Sequence, residues 1–269
     1  MTKTNETFDL LVFHRELDAS VAHLEAGAAG IIVDLENWGK RQRQAGYDTE
    51  INAHGIHDLT ALRGKTDAAI LCRISQPDPE DRELSTVIGE GANEIIVPMM
   101  ANVGQAERIL RRVDGACKVT LMVETCGAVA DIQKIAALPA DRIYVGLNDL
   151  QIDRGSPTIF EPLADGLLEE LRNSCTDIAF GFGGLTLPGY GDPLPGRHLY
   201  AEMARLGCSF TFLRRSFYRD AQHLGLAEAL GAIQAQICKY RSRSEAECQR
   251  DAADTVRAVE ALEGYKCAV

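Results

Sequence analysis

Val119-Thr120-Leu121-Met122-Val123-Glu124-Thr125-Cys126-Gly127 and, after a helix-length interval, Ile143-Tyr144-Val145-Gly146-Leu147-Asn148-Asp149-Leu150 share one plan: an apolar run of strand length with a carboxylate just beyond its end. Runs without polar alternation suit strands buried on both faces, as in a parallel sheet. Consecutive parallel strands joined by a helix point the same way, so both carboxylates emerge at one edge of the sheet. Glu124 and Asp149 therefore read as a pair of metal ligands. Two hard oxygen anions suit Mg²⁺ or Mn²⁺.

Apolar runs recur outward from this pair at 8–13, 31–35, 68–74, 94–99, 178–182 and 209–213, which with 119–123 and 143–147 makes eight. Between them lie helical spacings such as Ala106/Ile109/Leu110/Val113 and Leu163/Leu167/Leu168/Leu171. Alternating strands and helices imply a parallel sheet. Small residues at 26–30, 89–93 and 206–208 let a helix end and turn tightly onto the next strand. An open doubly wound sheet would carry a glycine-rich nucleotide loop after its first strand, and none follows Phe13. The predicted fold is α/β, a single (β/α)₈ TIM barrel over residues 1–269. Two tail helices are expected, over 220–239 and 245–263, the second stopped by Gly264 and available to pack on a neighbouring subunit.

With 46% hydrophobic and 25% charged residues, the 269-residue chain has the material for a substantial core. A formal charge of -11 with no long basic block argues against nucleic-acid binding. No apolar run approaches the roughly 20 residues of a membrane span, and the polar start lacks an export signal. A cytoplasmic protein without membrane contact is expected. The eight cysteines are scattered without Cys-x-x-Cys pairs, so they read as thiols in a reducing compartment rather than zinc ligands or disulfides.

In a barrel of this kind the catalytic groups collect beyond the carboxyl ends of the strands. Here that rim holds His14, Arg15, Asp34, Glu36, Arg73, Met99, Glu124, Asn148, Asp149, Gly181 to Gly184, Arg214 and Arg215. Thr125 or Asp149 has a plainer reading, as a cap of the following helix. Arg73, inside an apolar run, needs a partner. Asp34 or Glu36 would serve, but a substrate carboxylate, gripped by both arms of the guanidinium, is the favoured expectation. His54 and His57 lack a third ligand and read as a solvated helix start. Arg214 and Arg215 alternate along a strand, so at most one should face the mouth. Trp38 and Tyr47 would cover the mouth or pack on the barrel.

These pieces, in order, resemble a family: Ile32-Val33-Asp34-Leu35-Glu36, Cys72-Arg73-Ile74, Ile95-Ile96-Val97-Pro98, Val123-Glu124-Thr125 and Val145-Gly146-Leu147-Asn148-Asp149-Leu150. The chain is similar to the citrate lyase beta subunit, the malyl-CoA lyases and the hydroxy-oxo-heptanedioate class II aldolases of the phosphoenolpyruvate/pyruvate barrel superfamily. The resemblance implies that Glu124 and Asp149 hold Mg²⁺ or Mn²⁺ and that Arg73 faces the ketone and carboxylate of a pyruvate- or oxaloacetate-like moiety. It implies further that Asp34 and Glu36 support a water or the metal's surroundings, and that Gly146, Leu147 and Asn148 offer backbone donors to the substrate. The cation and Arg73 would then stabilise an enolate, so that a neighbouring carbon–carbon bond breaks or forms. The family carries an acid or a histidine base where this chain has Asn37, and an amide is no base. Deprotonation would then fall to metal-bound water, Glu36 or His14.

The expected function is a metal-dependent carbon–carbon lyase acting on a keto acid or an acyl thioester, with Arg215 supplying charge for the outer part of the substrate. The alternatives are thioester hydrolysis at the same site, or a sensor or structural subunit that binds metal and keto acid without turnover. Family members commonly form trimers or hexamers, so a homo-oligomer is expected.

Overall fold

The apolar runs form eight parallel strands: β1 Asp9–Phe13, β2 Gly30–Asp34, β3 Ile70–Arg73, β4 Glu94–Val97, β5 Lys118–Val123, β6 Arg142–Val145, β7 Ala179–Phe182 and β8 Phe210–Leu213. They pair in chain order, and β1 also pairs with β8, closing the barrel predicted from the sequence. This computed structural model describes residues 7–14, 16–36, 54–75, 82–213 and 215–266, with side chains through 262. Arg15, Asn37, Trp38, Tyr47 and Arg214 lie outside the described residues.

Side chains alternate across each strand, so one set points into the barrel and the other toward the helices. Leu11, Phe13, Ile32, Leu71, Ile96, Met122, Tyr144, Phe210 and Phe212 fill the inside. Their neighbours, such as Val12, Val33, Cys72 and Val123, face the outer ring. That ring comprises α1 Leu17–Glu25, α2 Ile56–Arg63, α3 Arg82–Gly89, α4 Val103–Val113, α5 Cys126–Ala130, α6 Ile132–Ala136, α7 Leu147–Arg154, α8 Leu167–Ser174, α9 Gly196–Arg205 and α10 Arg215–Asp220. Two tail helices follow, α11 Leu226–Arg241 and α12 Glu245–Lys266. The tight approaches to β2 and β4 are made by Gly27 (φ 104°) and Gly91 (φ 92°), a backbone region that favours glycine.

The amino-terminal end of the barrel is plugged by charge rather than by hydrocarbon. Arg142 reaches Asp9 at 2.9 Å and Glu94 at 3.4 Å, lies over the Phe210 ring, and Glu94 accepts from Thr120 Oγ1. All these charges are partnered, as burial requires.

Several boundaries differ from the sequence expectation. β4 stops at Val97 because Pro98 has no N–H for the ladder and Met99 turns away at φ 50°. β6 stops at Val145 because Gly146 caps α7. The first tail helix starts at Leu226, after Gly225, and the segment ahead of it holds the separate turn α10. The second runs through Gly264 to Lys266. Its inner face is committed to its own barrel: Thr255 and Val259 are fully buried, and Thr255 Oγ1 meets His198 Nδ1 of α9 at 3.0 Å; in the link ahead of it Arg243 donates to the Ala201 carbonyl at 2.8 Å.

Candidate active site

Parity decides which strand-end groups meet. Met122, Tyr144, Leu71 and Ile32 point inward, so the residues two further along, Glu124, Gly146, Arg73 and Asp34, also belong to the inward set. Thr125, not Glu124, caps the next helix, accepting from the Ala128 N–H at 3.0 Å while donating to the Met100 carbonyl at 2.5 Å. The plain reading of Thr125 holds, and it leaves the Glu124 carboxylate for other work. Asp149 occupies the first turn of α7, where the helix dipole favours an anion, and the cap position is Gly146.

Glu124 is 2% exposed. Its Oε1 accepts from the Met99 N–H at 2.7 Å, a donor aimed by that residue's left-handed backbone. Its Oε2 lies against Gly146, where an added Cβ would collide with it. Burial, then the negative charge of Asp149 and Glu36, pushes the Glu124 carboxyl up to about 8, while the Met99 N–H and Arg73 pull the other way. Gly146→Ala is therefore expected to displace the carboxylate and weaken Mn²⁺ binding at least about tenfold, read by calorimetric titration.

Glu124, Gly146, Leu147, Asn148, Asp149 and Arg215 line one cavity of about 810 Å³, with Tyr144, Phe212, Ile159 and Phe160 among its other walls. Arg215 opens α10 rather than lying on β8, so the strand-alternation argument does not apply to it.

Arg73, Asp34 and Glu36 are gathered elsewhere. They are 2%, 0% and 2% exposed and are absent from that cavity's lining. The β2–β3 register sets Asp34 directly beside Arg73. Arg73 Nε and Nη2 donate to the two Asp34 oxygens at 2.8 and 2.6 Å, Glu36 stands 3.4 Å from Nε, and the guanidinium lies over the Phe13 ring. The expected grip of both arms on a substrate carboxylate is thus corrected: the fork is held by Asp34, leaving Nη1 outside the pair. A buried guanidinium takes the nearest carboxylate the register offers. Burial works against its charge, but Asp34, Glu36 and Glu124 outweigh that and hold Arg73 firmly protonated.

The histidines are also committed. His54 is not a solvated helix start: its Nδ1 accepts from the Asp34 N–H at 2.9 Å, while His57 is exposed. His14, weighed as a base, meets Ser20 Oγ at 2.8 Å through Nδ1 and lies 3.6 Å from Asp58 through Nε2. Burial lowers the pKa of both His14 and His54, which stack edge to face at 5.0 Å. Neither lines the cavity.

Among the described residues no three His, Cys, Asp or Glu side chains form a ready-made metal cage. Mg²⁺ does not need one, since it keeps several waters and takes one or two carboxylates plus substrate oxygens. The donor set fits. Asp34, Glu36 and Glu124 face the Arg73 guanidinium, and Asp149 adds its charge at Glu124, whose carboxyl is raised first by burial and then by Asp149 and Glu36.

No protein-family model matches the sequence, and no curated protein matches it. Solved structures do. An HpcH/HpaI aldolase from Desulfitobacterium hafniense superposes with a TM-score of 0.59 at 16% identity, covering 89% of this chain and 95% of that one. The fold is that of the HpcH/HpaI aldolase and citrate lyase proteins. The citrate synthase SbnG (TM-score 0.58, 19% identity) covers 84% of this chain and 93% of its own. CitE from Mycobacterium tuberculosis, solved with magnesium, acetoacetate and coenzyme A, has a TM-score of 0.59 at 17% identity and covers 90% of this chain and 83% of that one.

Sequence reasoning missed the Met99 N–H as a partner of Glu124, because a left-handed methionine leaves no mark in composition. It also passed over Tyr144, a phenol at an inward position of the very run first quoted. Its position two residues ahead of Gly146 was the available signal.

Proposed function

We propose that the protein is a divalent-metal-dependent carbon–carbon lyase of the citrate lyase and hydroxy-oxo-heptanedioate aldolase kind. It would act beside the carbonyl of a pyruvate-, oxaloacetate- or acetyl-type fragment. The observation that carries this reading is the convergence of Glu124 and Asp149 in one cavity at the ends of neighbouring strands. The magnesium and acyl ligands of the CitE structure support it.

Glu124 and Asp149 would hold Mg²⁺ or Mn²⁺. When bound, the cation supplies a Lewis acid that draws electron density onto a carbonyl oxygen. The N–H groups at the start of α7, from Leu147 and Asn148, meet the substrate carboxylate, and Gly146 keeps that approach open. Asp34 and Glu36 act through Arg73, fixing a permanent positive charge whose field reaches Glu124 and the reacting oxygen. Arg215, which lines the same cavity, takes the outer part of the substrate. No helix among the described residues is long and apolar enough to cross a membrane. Assembly as a trimer or hexamer in the cytoplasm belongs to the same proposal.

The closed Arg73–Asp34 pair favours a second reading, binding of metal and keto acid without turnover. A panel of hydroxy-oxo acids and acyl thioesters separates the possibilities. Metal-dependent release of pyruvate, oxaloacetate or an acetyl product supports the lyase, release of a free acid and thiol alone supports thioester hydrolysis, and binding without product supports the sensor.

A further inference from the structure

We infer that Tyr144 is the acid–base residue of this site, giving a proton to the enolate carbon after the carbon–carbon bond breaks and removing it in the reverse direction. The inference rests on the enolate-forming reading above.

Tyr144 lies at an inward position of β6, registered against Met122 on the strand that Glu124 follows and against Gly181 on the strand that Gly183 follows. Its ring is fixed, stacked on Phe212 at a centroid distance of 3.8 Å and 13° between planes, with Phe210 at 6.0 Å. The hydroxyl reaches Gly183 so closely that a Cβ there would collide with it. Tyr144, Gly183, Glu124 and Gly146 all line the same cavity. The ring is thus buried in the barrel interior, its hydroxyl lies against Gly183, and the residue lines the same cavity as Glu124 and Asp149.

Other candidate acid–base groups are placed for different tasks: Glu36 stands against Arg73 and does not line the cavity. His14 and His54 are turned to Ser20, Asp58 and the Asp34 backbone and do not line the cavity. Tyr218 does line it, but donates to the Phe13 carbonyl at 2.9 Å. Asp192 also lines the cavity, but from the exposed loop ahead of α9.

In the step itself the Tyr144 O–H bond breaks as a C–H bond forms at the enolate carbon. The enolate's carbon–carbon π pair becomes the C–H bond, the oxygen's lone pair re-forms the carbonyl, and the phenolate regains, through solvent, the proton that the substrate hydroxyl releases as the carbon–carbon bond breaks. Reversed, the phenolate removes a methyl proton from pyruvate.

Tyr144→Phe keeps the stacked ring and removes the hydroxyl alone. With Mn²⁺ present, exchange of pyruvate methyl protons for deuterium is expected to fall at least about a hundredfold, the low end of general acid–base effects, while pyruvate affinity changes less than about threefold. Exchange within about threefold of the parent overturns the assignment. So does joint loss of exchange and pyruvate binding, which would make Tyr144 a binding group. A parent protein that exchanges nothing removes the enolate reading itself, and this inference with it.

Discussion

Replacing Arg73 by alanine is expected to lower folding stability by about 3–5 kcal/mol, because it strands the Asp34 carboxylate in a place with no water to receive it. The argument is one of geometry and burial together. Asp34 is 0% exposed and takes Arg73 donors on both oxygens, and Glu36 leans on the same guanidinium at 3.4 Å. Taking the cation away leaves two acids buried side by side. Urea unfolding at pH 7 reads the loss. The triple variant Arg73→Met, Asp34→Leu and Glu36→Gln should regain most of it, since it fills the space without stranding either acid. If Arg73→Ala unfolds within about 1 kcal/mol of the parent, the pair is not the structural element described here. A loss of activity in Arg73→Ala therefore needs the triple variant beside it. Refolded but inactive, that variant would show that the charges matter beyond their structural duty.

Glu124→Gln is expected to act in opposite directions on stability and on metal binding. The Glu124 carboxyl rises from its ordinary 4.5 to about 8 in the folded protein. A group raised in this way stabilises the fold fully below its unfolded value, and the contribution is lost as pH climbs through the folded one. The metal-free protein should accordingly lose stability between about pH 4.5 and 8, a window set by those two values. Glutamine keeps an acceptor for the Met99 N–H and carries no charge, so the variant should lack that decline. At pH 8 it should be more stable than the metal-free parent by about 1–3 kcal/mol, the scale of relieving a poorly compensated buried group. Mg²⁺ should raise the unfolding temperature of the parent at pH 8 and leave the variant unchanged. A metal-free parent whose stability is flat over that window would contradict the picture of an acidic pocket short of positive charge.

The barrel was legible because its signal is redundant. Eight apolar runs, spaced by helical periods and approached through turns such as Gly27 and Gly91, are consistent with one closed parallel sheet. The placement of Glu124 and Asp149 in one cavity was legible for the same reason, since neighbouring strands must deliver their ends to one rim. What escaped needs register or backbone detail. Arg73 and Asp34 lie 39 positions apart in the chain, and only the β2–β3 alignment makes them partners. The left-handed turn at Met99 places a donor that no side chain announces. Gly264 looks like a helix stop, yet α12 passes it, because burial of Thr255 and Val259 against α9 outweighs the weak local preference.

The most direct measurement is deuterium incorporation into the methyl group of pyruvate by the purified protein, followed by proton NMR with Mg²⁺ or Mn²⁺ and again after chelation. Exchange that requires the cation and disappears in Glu124→Ala is the expected result. Exchange that survives chelation or survives in Glu124→Ala would contradict the metal-assisted enolate site, and so would its absence from the parent protein.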